Sequence, residues 1–278
     1  MEWVFEDSGD YRQYYRIKKI LYNERSDFQD ILIAETYKFG KILLLDNAIM
    51  LTERFEFFYH EAISHPALFT HKNPKNVLII GGGDGGTLRE VLKHKEVENV
   101  DLVEIDKKVI ESCKKYIKTV SKSFDDPKAN VIIMDGIKYV NETDRRYDII
   151  LVDSADPKGP AVVLFKKEFF KNCYKILNDD GIIVTQAESP VFYSDYFKKI
   201  YKMFLSIFKI TMPYIANVPD YPQGIWAFML GSKKYHPFKD FNKEKISKIK
   251  TKYYNEKVHS AVFSLPNYVK EILKWVIF

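Results

Sequence analysis

Apolar and polar positions change rhythm twice along the chain. Through residue 52, short apolar runs are separated by polar, turn-rich stretches, and these read as strands. The segment "QDILIAETYKFGKILLLDNAIML" holds two such runs on either side of Lys38-Phe39-Gly40 and predicts a hairpin. The next stretch, "EFFYHEAISHPALF", predicts a helix over 56–69, with Pro66 an irregularity near its end. Beyond it come compact apolar runs at 77–80, 100–104, 131–134, 149–152 and 182–185. Helical patterns at 87–94, 107–116, 165–177 and 194–208 alternate with them. Strands alternating with helices predict an α/β doubly wound, parallel sheet. Near the end, "WAFMLGS" reads as an edge strand and "PNYVKEILKWVIF" as a closing helix.

Composition narrows the class without naming a function. With 278 residues, 46% of them hydrophobic, the chain can bury a core without metals or cross-links. Cys113 and Cys173 lie far apart in predicted helices, which suggests plain thiols in a reducing compartment. The acidic start "MEWVFEDSGDYRQ" does not read as a secretory signal, and no uncharged apolar run approaches the ~20 residues of a membrane span. A cytoplasmic protein without membrane contact is expected. The net charge of +5 comes from lysines spread along helix faces, not gathered into a patch, so nucleic acid is not the expected partner.

The carboxylates are placed less evenly. Ligands of an open α/β sheet bind beyond the carboxyl ends of its strands. There the chain sets Asp84 in "GGGDGG", Glu104 and Asp106 in "VEID", Asp135 in "MDG", Asp153 and Asp156 in "LVDSADPKGP", and Glu188 in "TQAESP". Some of these acids serve as helix caps, Asp106 above all. Glu104 follows the glycine loop by roughly 20 residues, where an acid commonly takes ribose hydroxyls. A loop holding pyrophosphate would be spoiled by Asp84, which disfavours NAD and an NAD-dependent oxidoreductase. A nucleoside with a cationic tail fits better. Glu104 would take the ribose, Asp135 the adenine amine and Asp84 the charged tail, with Gly81 and Gly83 lining the loop.

The stretches "GGGDGGTLREVLKH", "VEIDKKVIE", "DDPKANVIIMDG", "YDIILVDSADPKGPAVVLF" and "YPQGIWAFMLGSK" resemble the polyamine aminopropyltransferases, the spermidine synthase-like enzymes. The segment "TERFEFFYHEAISHPAL" resembles the one that precedes the glycine loop in that family. The resemblance implies a small N-terminal β-strand domain over 1–55 and a Rossmann-like, methyltransferase-type catalytic domain over 56–278. It implies assembly as a homodimer or homotetramer. It also implies transfer of an aminopropyl group from decarboxylated S-adenosylmethionine, a co-substrate rather than a prosthetic group, to a primary di- or polyamine. No metal is expected. By the same resemblance, Gln29, Glu104, Asp135 and Gly136 would hold the nucleoside, and Asp84 and Asp153 the donor's ammonium. Tyr59, Asp153, Asp156, Glu188 and Tyr221 would line the acceptor site with His60 beside them. The Pro- and Gly-rich stretch after Asp153 would be a lid.

The chemistry asks for the same residue types. An acceptor amine with a pKa near 10 is neutral in only about one molecule in 10³ at pH 7. It needs a proton acceptor, for which Asp153 is the candidate with Tyr59 orienting the nitrogen. Tyr221, Trp226 and Trp3 could offer aromatic faces to an ammonium group. Three positions depart from the family pattern. Phe55 stands where Asp is usual, Asn47 replaces Gly after "LLLD", and Asp220 replaces a common Thr. An acid at Asp220 could favour a more cationic or longer acceptor such as agmatine, cadaverine or spermidine. Two other readings stay open: a non-catalytic polyamine- or nucleoside-binding regulator, and an S-adenosylmethionine-dependent methyltransferase.

Overall fold

The computed structural model describes residues 2–7, 11–154, 166–221 and 224–274. The first five strands are β1 (Glu2–Asp7), β2 (Arg12–Arg25), β3 (Asp30–Thr36), β4 (Lys41–Leu45) and β5 (Ala48–Thr52). They form an antiparallel sheet in chain order. The expected hairpin turns at Gly40, whose φ is +73°. The next turn places Asp46 and Asn47 at φ 47° and 65°, a left-handed geometry that Asn and Asp tolerate. Glu6 closes β1 onto β5 by accepting a hydrogen bond from the Ile49 amide (2.9 Å).

Helix α1 (Phe57–Thr70) runs straight through Pro66. Proline at that position removes the hydrogen bond that the Ala62 carbonyl would accept from residue 66. The Tyr214 hydroxyl donates to that carbonyl instead (2.9 Å), and both residues are fully buried. Tertiary structure thus repairs what the sequence breaks. Tyr214→Phe should cost about 1–3 kcal/mol through the orphaned carbonyl, seen as a lower urea midpoint at unchanged slope.

The second sheet follows with β6 (Asn76–Gly81), α2 (Gly86–Leu92), β7 (Asn99–Glu104), α3 (Lys107–Tyr116), α4 (Lys118–Ser121), β8 (Ala129–Ile133), α5 (Gly136–Glu142), β9 (Tyr147–Asp153), α6 (Lys167–Ile176), β10 (Leu177–Gln186), α7 (Ser194–Leu205), β11 (Ile210–Asn217) and β12 (Ile225–Ser232). Its order is β11-β12-β10-β9-β6-β7-β8, with β10 to β8 parallel and the last two strands antiparallel. The "WAFMLGS" strand is therefore internal and not the edge. The edge is β11, which the sequence reading passed over. Its Pro213 interrupts the strand pattern, and an edge is where a strand can carry proline. Helices α8 (Lys243–Ile246), α9 (Glu256–Val262) and α10 (Asn267–Lys274) complete the described chain.

Strand β6 is buried on both faces. Val77 and Ile79 enter a core shared with α1 and α2, while Leu78 and Ile80 enter another shared with α6 and α7. That double burial explains why β6 reads as a continuous apolar run. A third core joins the two sheets, with Ile31, Ile33, Leu43 and Leu51 packed on Val109, Cys113 and Ile117 of α3 and its end. Among the described residues, no helix is long and apolar enough to cross a membrane.

Candidate active site

Where the N-terminal sheet leans over the carboxyl ends of β6, β7 and β9, the two enclose a cavity of about 450 Å³. Its roof comes from Leu43, Leu45, Ala48 and Met50, apolar residues that the sequence reading treated only as strand. The acids form its floor. Strand polarity explains the gathering, since every parallel strand delivers its last residue to this same edge.

The glycine loop is built around Asp153. A Cβ at Gly81, which has φ +85°, would stand 2.1 Å from the Asp153 carbonyl oxygen. That carbonyl also accepts from the Gly82 amide (2.8 Å). Asp84 follows, and its Oδ1 accepts from the amide of Gly86, the first residue of α2 (2.6 Å). The carboxylate thus occupies the amide to which a phosphate would bind at this helix start. The loop is closed to pyrophosphate by its own side chain.

Asp84 and Asp153 face the cavity with opposed proton affinities. Burial raises the pKa of Asp153, and the nearby negative charge of Asp84 raises it further. Its Oδ1 accepts from the Tyr59 hydroxyl (2.9 Å), and hydrogen bonds from Tyr59 and Thr87 work the other way, favouring the carboxylate. Burial would raise Asp84 as well, but His60 outweighs it and brings the pKa below the ordinary aspartate value. His60 Nε2 lies 3.3 Å from Asp84 Oδ1, and its Nδ1 lies 2.6 Å from Glu56 Oε2. Burial opposes the imidazolium, but these two carboxylates overcome it and raise His60 well above the usual histidine value. Tyr59, buried and beside Asp153, is held well above pKa 10 and stays a neutral donor.

Glu104 is buried under the glycine loop, where a Cβ at Gly83 would come within 2.9 Å of its Oε2. Burial first, with the charges of Asp106 and Asp153, raises its pKa to about 7. Asp106 is the expected helix cap: its carboxylate accepts from the Lys108 amide (3.0 Å). It also takes Ser26 Oγ (2.6 Å) and Gln29 Nε2 (3.0 Å), which sets Gln29 at the cavity wall. Asp135 caps α5 through the Ile137 amide (2.6 Å) and, with Gly136, lines the same cavity.

Other expected residues are not brought together. Asp156 and most of the expected lid lie outside the described residues. Glu188 is buried just past the end of β10, with φ 64°, and does not line the cavity. Asp220 is turned away from the cavity. Its Oδ2 accepts from the Thr52 amide (3.0 Å) and hydroxyl (2.8 Å), and burial raises its pKa to about 6. Tyr221 does line the cavity, its hydroxyl donating to the Met50 carbonyl (3.0 Å) and its ring 5.3 Å from Tyr59. Trp226 packs behind Tyr221 in the core, and Trp3 is exposed on β1, so neither lines the cavity. Phe55 stacks edge-on with Phe39 (5.8 Å) and replaces a polar role with packing.

Among the described residues, His71, Asp148 and Asp180 are close enough to share a metal. They sit at the opposite edge of the sheet, where His71 Nε2 lies 3.5 Å from Asp180 Oδ1 and makes no hydrogen bond among the described residues, while the other atoms are engaged. Asp148 accepts from the Lys75 and Asn76 amides, Asp180 from the Tyr235 hydroxyl, and His71 Nδ1 from the Asn73 amide.

This fold, with an acid-floored cavity at the carboxyl ends of its parallel strands, is that of a Rossmann-like α/β enzyme. Residues 56–243 match the spermine/spermidine synthase domain, and residues 2–53 match the spermidine synthase tetramerisation domain. The polyamine aminopropyltransferase of Methanocaldococcus jannaschii is 55% identical over 93% of this chain and 90% of its own. That of a Thermoanaerobacter species is 51% identical, covering 92% of each. A crystal structure of spermidine synthase in complex with the transition-state analogue AdoDATO superposes with a TM-score of 0.96 at 43% identity, over 99% of this chain and 95% of that one. The spermidine synthase of Thermotoga maritima gives 0.93 at 42% identity, over 98% and 94%. The chain belongs to the spermine/spermidine synthase family and is an aminopropyltransferase.

Proposed function

We propose that the enzyme moves the aminopropyl group of decarboxylated S-adenosylmethionine to putrescine, giving spermidine and methylthioadenosine. The observation that carries this reading is the division of labour between Asp84 and Asp153. Two neighbouring carboxylates pushed apart in proton affinity supply one lasting anion and one proton acceptor. Asp84, held ionised by His60, binds the donor's ammonium. Asp153, whose proton affinity burial and Asp84 raise, takes the acceptor's proton.

In the reaction, the neutral acceptor nitrogen attacks the methylene next to the sulfonium. The N–C bond forms as the C–S bond breaks, and that electron pair stays on sulfur. The proton released from nitrogen passes to Asp153 while Tyr59 orients the nitrogen. Glu104 takes the ribose hydroxyls, Asp135 the adenine amine, and Gln29, Gly81, Gly83 and Gly136 shape the nucleoside wall. Asp156 is left to neutralise the far ammonium of the acceptor, because Glu188 does not line the cavity. Asp220 enters only through Tyr221, its neighbour, by tying that loop to β5. A methyl donor would carry a carboxylate against Asp84 and Asp153, which this floor repels.

The same reading gives a homodimer or homotetramer acting in the cytoplasm. Trp3, Phe5 and Tyr14 form an exposed aromatic patch across β1 and β2, consistent with a subunit contact. Cys113 and Cys173 are free and buried, as suits a reducing compartment.

Incubation with decarboxylated S-adenosylmethionine and, separately, putrescine, agmatine, 1,3-diaminopropane, cadaverine and spermidine tests the proposal by mass spectrometry. Methylthioadenosine release should be fastest with putrescine. A longer or guanidinium acceptor in front would move the specificity to another amine. Donor binding without turnover would replace the enzyme reading with a receptor for cationic nucleosides.

A further inference from the structure

Behind the cavity wall, charges of alternating sign run away from Asp84 along α1 and α2. Asp84 meets His60, His60 meets Glu56, and Glu56 meets Arg89. Both Glu56 oxygens are taken by the Arg89 guanidinium, each at 2.8 Å, in a two-pronged clamp. Arg89 in turn reaches Glu90 (2.8 Å), which also meets Lys93 (2.5 Å) and His65 (3.2 Å). Glu56 is 4% exposed, and neither it nor Arg89 lines the cavity.

We infer that Glu56 and Arg89 are positioning residues for donor binding, acting through the His60 imidazolium to fix the Asp84 carboxylate in the cavity wall. This rests on the assignment of Asp84 to the donor's ammonium.

Geometry alone requires the imidazolium. Each ring nitrogen of His60 faces a carboxylate oxygen, so a neutral ring would aim a lone pair at one of them. The ring cannot turn away either. It is buried against Gly86, where a Cβ would stand 2.2 Å from Cε1. Both contacts to Asp84 among the described residues, from His60 and from the Gly86 amide, fall on Oδ1. Asp84 itself lines the cavity.

Arg89 has a distinct part. Two carboxylates around one imidazolium leave an excess buried negative charge, which would be relieved by a proton on Glu56 or a swing of its side chain. The guanidinium removes that excess and fixes Glu56 in place. Without the relay, Asp84 would stand next to Asp153 unsupported. Such a pair shares one proton, and a protonated Asp84 no longer holds an ammonium group. The groups facing His60 are Glu56 ahead of α1, Asp84 in the glycine loop, Asp153 at the end of β9, Asp220 beyond β11, and Tyr59 on α1, with Arg89 behind Glu56.

The test compares two ligands by calorimetric titration, in the wild type, Arg89→Lys and Glu56→Gln. Methylthioadenosine lacks both the sulfonium charge and the ammonium that decarboxylated S-adenosylmethionine carries. Donor affinity should fall about tenfold in each variant while methylthioadenosine affinity stays within about twofold. In Glu56→Gln the donor loss should deepen from pH 6 to 8, as His60 gives up its proton. On an Asp84→Asn background, Arg89→Lys should add no further loss. Equal loss for both ligands would make the pair merely structural and overturn the inference, as would no loss for either. If Asp84→Asn by itself spares donor affinity, the Asp84 assignment fails first and takes the inference with it. Should Glu56→Gln not fold, Arg89→Lys, which keeps the charge and breaks the clamp on Glu56 together with the contact to Glu90, decides.

Discussion

Asp153→Asn is expected to lower kcat by about 10³-fold, within the range general-base removal produces, while methylthioadenosine binds nearly as before. The amide keeps the size of the carboxylate and can still accept from Tyr59. It cannot take a proton from the acceptor nitrogen. The loss should shrink as pH rises, because more acceptor is then neutral in solution and needs no base. In the wild type the acidic limb of the kcat profile should lie above the ordinary aspartate range, since burial and Asp84 both raise Asp153. Tyr59→Phe is the companion variant. The Tyr59 hydrogen bond favours the Asp153 carboxylate, so its loss should move that limb to higher pH. An unchanged rate in Asp153→Asn, measured as single-turnover methylthioadenosine formation, would exclude both a proton-accepting and an electrostatic role for Asp153.

Glu104→Gln is expected to stabilise the protein and disable it together. Burial brings the Glu104 pKa from 4.5 to about 7. The folded state therefore binds more protons than the unfolded chain between those values. Stability contributed by this group falls as pH rises from 4.5 to 7, and the full penalty, on the order of 3 kcal/mol, applies above that. Glutamine carries no charge to bury and keeps an oxygen for the Asp106 amide, which Glu104 Oε1 now accepts (2.9 Å). The variant should melt several degrees higher at pH 8, and no higher near pH 5, where Glu104 is already protonated. Nucleoside affinity should fall by roughly 10²-fold, the loss of charge-assisted hydrogen bonds to the ribose hydroxyls. For the wild type, methylthioadenosine affinity should rise with pH through about 7, with a proton released on binding. A Glu104→Gln variant that bound the nucleoside undiminished would remove the ribose assignment.

Several residues show where local reading stops. Asp106 is legible because a cap is a matter of a few consecutive residues, and Lys108 is within reach of it in any helix that starts there. Asp220 was not. Beside Tyr221 in the sequence it looks like part of the acceptor site, yet Thr52 claims its carboxylate from the N-terminal sheet. Nothing near Asp220 in the chain announces Thr52. The helix through Pro66 is similar, because its missing partner is supplied by Tyr214 from the sheet edge.

The sequence by itself determined the α/β alternation, the strand ends and the acids on them. These depend on hydrophobic period and strand polarity, both of which are local. It also carried the family, through motifs that keep their order and spacing along the chain. Only the tertiary structure decided that the N-terminal sheet roofs the cavity with Leu43 and Met50, and that His60 bridges Glu56 to Asp84. Only it assigned opposite proton affinities to two aspartates that read alike. Such differences arise from burial and from charges brought within a few ångströms by packing, and neither quantity is written along a chain.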